Sequence, residues 1–272
     1  MKKHRTTIIL FIVLFVGLSL LLYPTFSDWW NSMHQSRAVA SYVEQVTHID
    51  KNQYQEIWDA AKEYNQQLSL RENPYVLTPE QTETYENLLN IIGTGIMGYV
   101  EIPAINVTLP IYHSTSESVL QVAAGHVEWS SLPVGGESSH SVISGHRGLP
   151  SARLMTDLDK LAVGDVFLYR ILDEILTYEV DQILIVEPHE VENLVVVSGE
   201  DYSTLVTCTP YGINSHRMLV RGHRIENQAE AKQLRVSADA IQIDPIMVAP
   251  FVALPMLLVL LIVLIIPKKR RK

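Results

Sequence analysis

The sequence predicts a mainly β domain, a closed barrel or sandwich of short strands, preceded by helices and flanked by two membrane-spanning helices. Three observations carry this. Uncharged apolar runs lie near both ends of the 272 residues, Thr6–Tyr23 and Ile246–Ile266. Apolar residues recur at helical spacing from Val39 to Leu68. From Gly98 the period changes to two, and Gly, Pro, Asp and Asn punctuate the chain at short intervals.

The terminal runs come first. A helix rises about 1.5 Å per residue, so roughly 20 apolar residues cross a hydrocarbon core. The second run has that length, and the first falls slightly short of it while staying in range. Pro250 and Pro255 are compatible with a membrane helix; the competing reading of that run is a buried core helix. For the first run the competitor is a cleaved signal peptide. Ala38-Val39-Ala40 has the small-x-small form of a cleavage site but lies too far beyond the apolar stretch, which favours an uncleaved anchor. Lys2, Lys3 and Arg5 precede the first run, and Lys268, Lys269, Arg270, Arg271 and Lys272 follow the second. Basic flanks stay cytoplasmic, so both termini are expected inside and everything between them outside.

All 30 acidic residues lie between Pro24 and Pro245, with 13 of the 21 basic ones. The external part is therefore strongly acidic, which argues against nucleic-acid binding and weakly favours a cationic partner such as lysine.

Five segments follow: a tail and anchor over 1–23, a helical segment over 24–97 containing a loop at 69–78, a β domain over 98–227, a linker over 228–245, and a helix with basic tail over 246–272. Within the second, Trp29 and Trp30 suit a membrane interface. Val39, Tyr42, Val43, Val46 and Ile49 form one apolar stripe, and Tyr54, Ile57, Trp58, Ala61, Tyr64 and Leu68 another, with Asp50 as N-cap of the second stretch. Thr78-Pro79-Glu80-Gln81 reads as a capping box opening a short helix to about Leu89. Strands are expected over Gly98–Pro103, Asn106–Tyr112, Ser141–Ser144, Asp165–Ile171, Leu176–Val186, Tyr202–Thr207 and Arg217–Arg224, with helical turns at Ser116–Ala123 and Asn193–Val197.

The chain has one cysteine, Cys208. Exported proteins use cysteines in pairs, so a solitary thiol is either a buried hydrophobe or a reactive group. Cys208 ends the strand that begins at Tyr202, before Thr209-Pro210, and Arg217 lies nine residues on, past the turn residues Pro210–Asn214. An antiparallel hairpin would set the two side by side. A thiol works as its thiolate, which a nearby cation favours, and a guanidinium can also hold a developing oxyanion. Of the 10 histidines, His146 stands out, directly after an apolar strand and between Gly145 and Gly148. His216 adjoins Arg217 on a strand and should face the other way. His140 and His146 lack metal-ligand spacing and no second cysteine exists, so no metal or other cofactor is expected.

Thr204-Leu-Val-Thr-Cys208 and His216-Arg217-Met-Leu-Val-Arg221-Gly222 resemble the signature of the sortases, and Ser144-Gly145-His146-Arg147-Gly148-Leu149-Pro150 resembles the histidine segment of their pilus-assembling branch, class C. The Leu20–Asn31 stretch and the basic-ended apolar tail are similar to class C as well. The resemblance implies an eight-stranded sortase barrel outside a Gram-positive plasma membrane. It implies that Cys208 attacks the Thr–Gly bond of a Leu-Pro-x-Thr-Gly-like sorting signal and that the acyl group passes to a pilin lysine amine. His146 would shuttle protons and Arg217 would hold the oxyanion, with Arg221, two pleats away, structural. It also implies a lid before the barrel, where Asn73-Pro74-Tyr75 matches the family's Pro-aromatic pair but has an amide in place of its acid; the simpler reading of 69–78 is a turn between helices. Attachment of surface proteins to the cell wall is the alternative within the family. A non-enzymatic surface adhesin with a structural thiol is the alternative outside it.

Overall fold

The computed structural model describes residues 2–71, 75–91 and 93–227; Asn73, Pro74, the linker and the C-terminal apolar run lie outside the described residues. A single helix, α1 (Lys2–Val46), runs through Pro24 without a break. Proline removes one backbone donor from such a helix, a loss that leaves the 45-residue element intact. From Ile9 onward α1 is long and apolar enough to cross a membrane, and its most apolar stretch is not buried against the protein. Further on, Tyr42 and Val46 bury against Ile96 and Tyr99. The Tyr42 hydroxyl donates to the Met97 carbonyl at 2.9 Å and accepts from the Leu172 amide at 2.7 Å, which fixes the helix to the barrel wall.

Helix α2 (Lys51–Ser69) starts at Asp50, whose carboxylate accepts from the amides of Asn52 and Gln53. Caps of this kind contribute about 1 kcal/mol. Its apolar stripe, Ala61, Tyr64 and Leu68, joins the main core. Asn65, buried among them, bonds both backbone groups of Leu132, donating to the carbonyl at 3.0 Å and accepting from the amide at 2.7 Å. Helix α3 (Pro79–Asn87) opens with the reciprocal Thr78–Gln81 box expected from the sequence and buries Tyr85.

Eight strands close a barrel: β1 (Ile96–Ile102), β2 (Val107–His113), β3 (Ala124–His126), β4 (Ser139–Ser144), β5 (Val166–Ile171), β6 (Glu174–Val186), β7 (Asp201–Thr209) and β8 (His216–Ile225). Their order around the barrel is β1-β2-β3-β4-β7-β8-β6-β5, with β5 pairing back to β1. Two neighbouring pairs, β2·β3 and β4·β7, are parallel, and the rest are antiparallel. The sequence pattern found seven of these strands. It missed β3, whose Ala-Gly-His has no alternation to read. The expected turn at 116–123 is helix α4 (Glu117–Leu120), and the one near 193 is a 3₁₀ turn over Glu192–Leu194.

Successive strand residues face opposite sides, and along β7 neighbouring residues join different apolar clusters. Leu205 points inward to the main core with Ile143 of β4 and Val220 of β8. Val206 points outward, into a second apolar cluster with Val142, Val186, Leu194 and Leu219. The barrel is therefore covered on this outer side.

Candidate active site

Strand parity places the thiol. Cys208 lies two residues beyond Val206 on β7 and so shares its outward face, where it is half-buried. The antiparallel β7·β8 ladder pairs Cys208 directly with Arg217 and Thr209 with His216. The hairpin thus joins the sulfur-bearing strand end to the guanidinium and turns His216 to the other face, both as the sequence predicts. The Arg217 guanidinium is steadied at its root, donating from Nη1 to the carbonyls of Asn214 and His216 at 3.2 and 3.1 Å. Among the described residues no carboxylate pairs with it.

His146 arrives by a different route. Strand β4 runs parallel to β7 with Ser144 opposite Val206, so continuing that register sets His146 opposite Cys208 on the same face. Two bonds hold the end of the strand: the Gly145 amide donates to the Val206 carbonyl at 3.0 Å, and the Thr207 hydroxyl donates to the Gly145 carbonyl at 2.8 Å. Position 145 must be small, because a Cβ there would stand 2.7 Å from Cγ and Sδ of buried Met155. At Gly148 the chain has φ of +77°, a conformation that disfavours side chains, and this lets it turn back beneath Tyr211.

The structure adds a neighbour that the sequence did not suggest. Nε2 of His146 faces Oε2 of Glu117, at the start of α4, at 3.4 Å. The Gln121 amide, and after it His146, hold the Glu117 carboxyl below its usual pKa. Nothing in the spacing of 117 and 146 announces this pair. Arg147 is engaged by Asp159, and Arg221 is held by both oxygens of Asp181 at 3.0 and 2.9 Å while lying over the Tyr202 ring.

The same outer face continues away from Cys208. His140, opposite Tyr202 on β4, is fully buried there. Its Nδ1–H donates to the Val195 carbonyl at 2.9 Å and its Nε2 accepts from the Thr204 hydroxyl at 2.7 Å. Burial first, opposed by the Val195 bond, pushes its pKa down to about 4. Beside it lies a cavity of about 180 Å³ bounded by Leu68, Trp129, His140, Leu194 and Val195. Tyr75 sets its ring edge-on against Trp129, centroids 5.1 Å apart, and Trp129 packs on the Val206–Leu219 cluster. Tyr75 is thereby linked, through Trp129, to the outer cluster that contains Val206. No group of three or more His, Cys, Asp or Glu suited to a metal occurs among the described residues.

A barrel that aligns a lone thiol, an imidazole and an arginine at one end of three neighbouring strands has the layout of a cysteine acyl-transfer enzyme. The comparisons with known proteins give the class. The sortase-domain family matches residues 100–225. Sortase C1 from Streptococcus agalactiae is 54% identical, its structure superposing with a TM-score of 0.69 over 71% of this chain and 100% of its own. Sortase C from Streptococcus pneumoniae is 47% identical over 71% of this chain and 98% of its own, with a TM-score of 0.64. Sortase A from Bacillus anthracis is 27% identical over 85% of this chain and 100% of its own. The chain belongs to the sortase family, on its class C branch, and is a sortase-type cysteine transpeptidase. This sets aside the reading as an adhesin with an inert thiol.

Proposed function

We propose that this enzyme joins pilin subunits, cleaving a Leu-Pro-x-Thr-Gly-like sorting signal between Thr and Gly and passing the acyl group to a lysine amine. The observation that carries the proposal is the placement of Cys208, Arg217 and His146 at one strand end, on a face that then runs as an apolar surface toward Tyr75 and Trp129. The Cys208 thiolate adds to the Thr carbonyl, and Arg217 donates to the oxygen as it becomes negative. Collapse of the tetrahedral adduct breaks the C–N bond, and protonated His146 gives its proton to the departing glycine amine. A thioester to Cys208 remains. A neutral lysine ε-amine then adds to it, His146 takes the surplus proton, and the C–S bond breaks to return the thiolate and release the isopeptide. Four extended residues span about 13 Å, so the Leu-Pro end of the signal falls over the Val206–Leu219 cluster and the cavity beyond it.

In this reading residues 6–23 and 246–266 both cross the plasma membrane, with both termini cytoplasmic, and the barrel works outside. Asn73-Pro74-Tyr75 acts as a lid, in which Tyr75 reaches Trp129. The full chain mixed with a sorting peptide and examined by intact mass should gain the N-terminal fragment, and the Cys208→Ala variant should not. A lysine-bearing pilin domain should then discharge the adduct faster than a glycine amine. The reverse preference would identify wall attachment instead, and no adduct with any sorting peptide would refute the cleavage chemistry.

A further inference from the structure

Helix α1 does more than tether the domain. Asp28, Asn31, Gln35, Tyr42 and Val46 follow one another at steps of three, four or seven, so they form one stripe along the helix. Its apolar half, Tyr42 and Val46, packs on the barrel wall. Its polar half reaches loops. The Asn31 amide donates to the Ser151 carbonyl at 2.8 Å, and the Asp28 carboxylate accepts from the Arg153 amide at 2.6 Å. The Gln35 amide donates to the Val122 carbonyl at 2.8 Å.

These loops are the two that flank His146. Ser151 and Arg153 lie on the loop that leaves His146 and comes back to it, since the Met155 amide donates to the His146 carbonyl at 3.1 Å. Val122 lies just past α4, which carries Glu117 against the imidazole. Between His146 and Met155 the only ladder contact among the described residues is the isolated Leu149–Ala152 bridge. Backbone groups at such a loop need partners from elsewhere, and α1 supplies two of them. Reaction rates depend steeply on sub-ångström placement of the reacting groups, so whatever holds this loop bears on the proton transfer.

We infer that the juxtamembrane turns of α1, through Asp28, Asn31 and Gln35, are a positioning element for His146, so that membrane anchor and catalytic loop form one continuous piece. The inference rests on the proposed role of His146 as proton shuttle. Asp28 and Asn31 bracket Trp29 and Trp30, residues of the kind that settle at a lipid interface. The loop is therefore gripped within about one helical turn, about 5 Å, of the interfacial tryptophans. No flexible linker intervenes between the apolar stretch and the barrel.

The test uses the full chain in lipid nanodiscs. Asp28→Leu with Asn31→Leu removes both bonds to the loop, while Asp28→Asn keeps an acceptor oxygen in place. Three readouts are taken: kcat and KM for sorting-peptide cleavage, the pH profile of Cys208 alkylation (clean because it is the only thiol), and the thermal midpoint. The double variant should lose about 10-fold or more in kcat with KM within about twofold. Its alkylation profile should shift along the pH axis, its midpoint should stay put, and Asp28→Asn should retain most of the wild-type rate. A double variant with wild-type kcat and alkylation profile would overturn the inference, as would a loss that merely tracks a lowered midpoint. His146→Ala separates the two layers. If it retains the wild-type rate, the role of His146 is wrong and the positioning role falls with it; if it is inactive while the double variant is not, only the positioning role is wrong.

Discussion

Acid should loosen this barrel before it titrates most carboxylates, and His140 is the place to see it. The ring is buried and neutral, bonded to the Val195 carbonyl through Nδ1 and to the Thr204 hydroxyl through Nε2. Its pKa is lowered from 6.5 to about 4, chiefly by burial. His126, enclosed by Tyr85, Ser130 and Ser131, is pushed down to about 3 for the same reason. Below pH 6.5 the unfolded chain binds protons that the folded rings refuse, so stability is complete above 6.5 and falls as the pH drops. At about 1.4 kcal/mol per pH unit for each ring, the two together cost about 5 kcal/mol between pH 6.5 and 4.5. That is a large share of the 5–15 kcal/mol typical of a domain. Asp201, whose carboxyl burial pushes up, works in the opposite direction and trims the slope. Guanidinium unfolding of a Pro24–Asn227 fragment at pH 7.5, 6.5, 5.5 and 4.5 reads the effect. His140→Gln should halve the slope, and the His140 Cε1 proton should show no NMR titration above pH 5. An unchanged slope in that variant, or a ring titrating near 6.5, would refute the argument.

Three further outcomes follow from single contacts. Asn65→Ala strands the buried amide and carbonyl of Leu132 and should cost about 2–4 kcal/mol by chemical denaturation; a change below about 0.5 kcal/mol would mean that water replaces the side chain. Arg217→Lys keeps the charge but cannot both bond the Asn214 and His216 carbonyls and present a planar set of donors to an oxyanion. Rapid-quench acylation should fall about 10²–10³-fold, and a loss under about threefold would deny Arg217 that role. Tyr75→Ala removes the ring on Trp129 and should raise the peptide-cleavage rate and the alkylation rate of Cys208 together; equal rates in both assays would leave 69–78 as a turn between helices.

How much of this was legible in the sequence depended on the range of the contact. Asp50, the Thr78–Gln81 box and the alternation of β1, β2 and β5 to β8 are local, and the residues announce them. The Cys208–Arg217 pairing is nearly local, a hairpin closed over nine residues, and spacing alone predicts it. The pairing of β4 with β7 is another matter. Ser144 and Val206 lie 62 residues apart, and no pattern in either strand names its partner. For the same reason His146 was singled out by its glycines and by resemblance, while Glu117 was not singled out at all. The sequence sets the anchor over 1–23 apart from a helical segment over 24–97, yet α1 runs through Pro24 across that boundary and is held beyond it by Tyr42.

That parallel pair explains how the proposed active centre is assembled. Two parallel strands finish at the same end, so the residue that follows β4 and the one that closes β7 are brought together by topology, however long the chain between them. An antiparallel strand paired to β7 must begin where β7 finishes, which delivers Arg217 to the same end. Parity then selects the face. His140, Val142 and Ser144 on β4 with His146 just past its end, Thr204, Val206 and Cys208 on β7, and Arg217 and Leu219 on β8 share the outward parity, while Ile143, Leu205, Met218 and Val220 between them fill the core. A slip of one residue in either ladder would bury the thiol and expose the core together. The hydrophobic energy that fixes the register of the barrel therefore fixes the register of the chemistry as well.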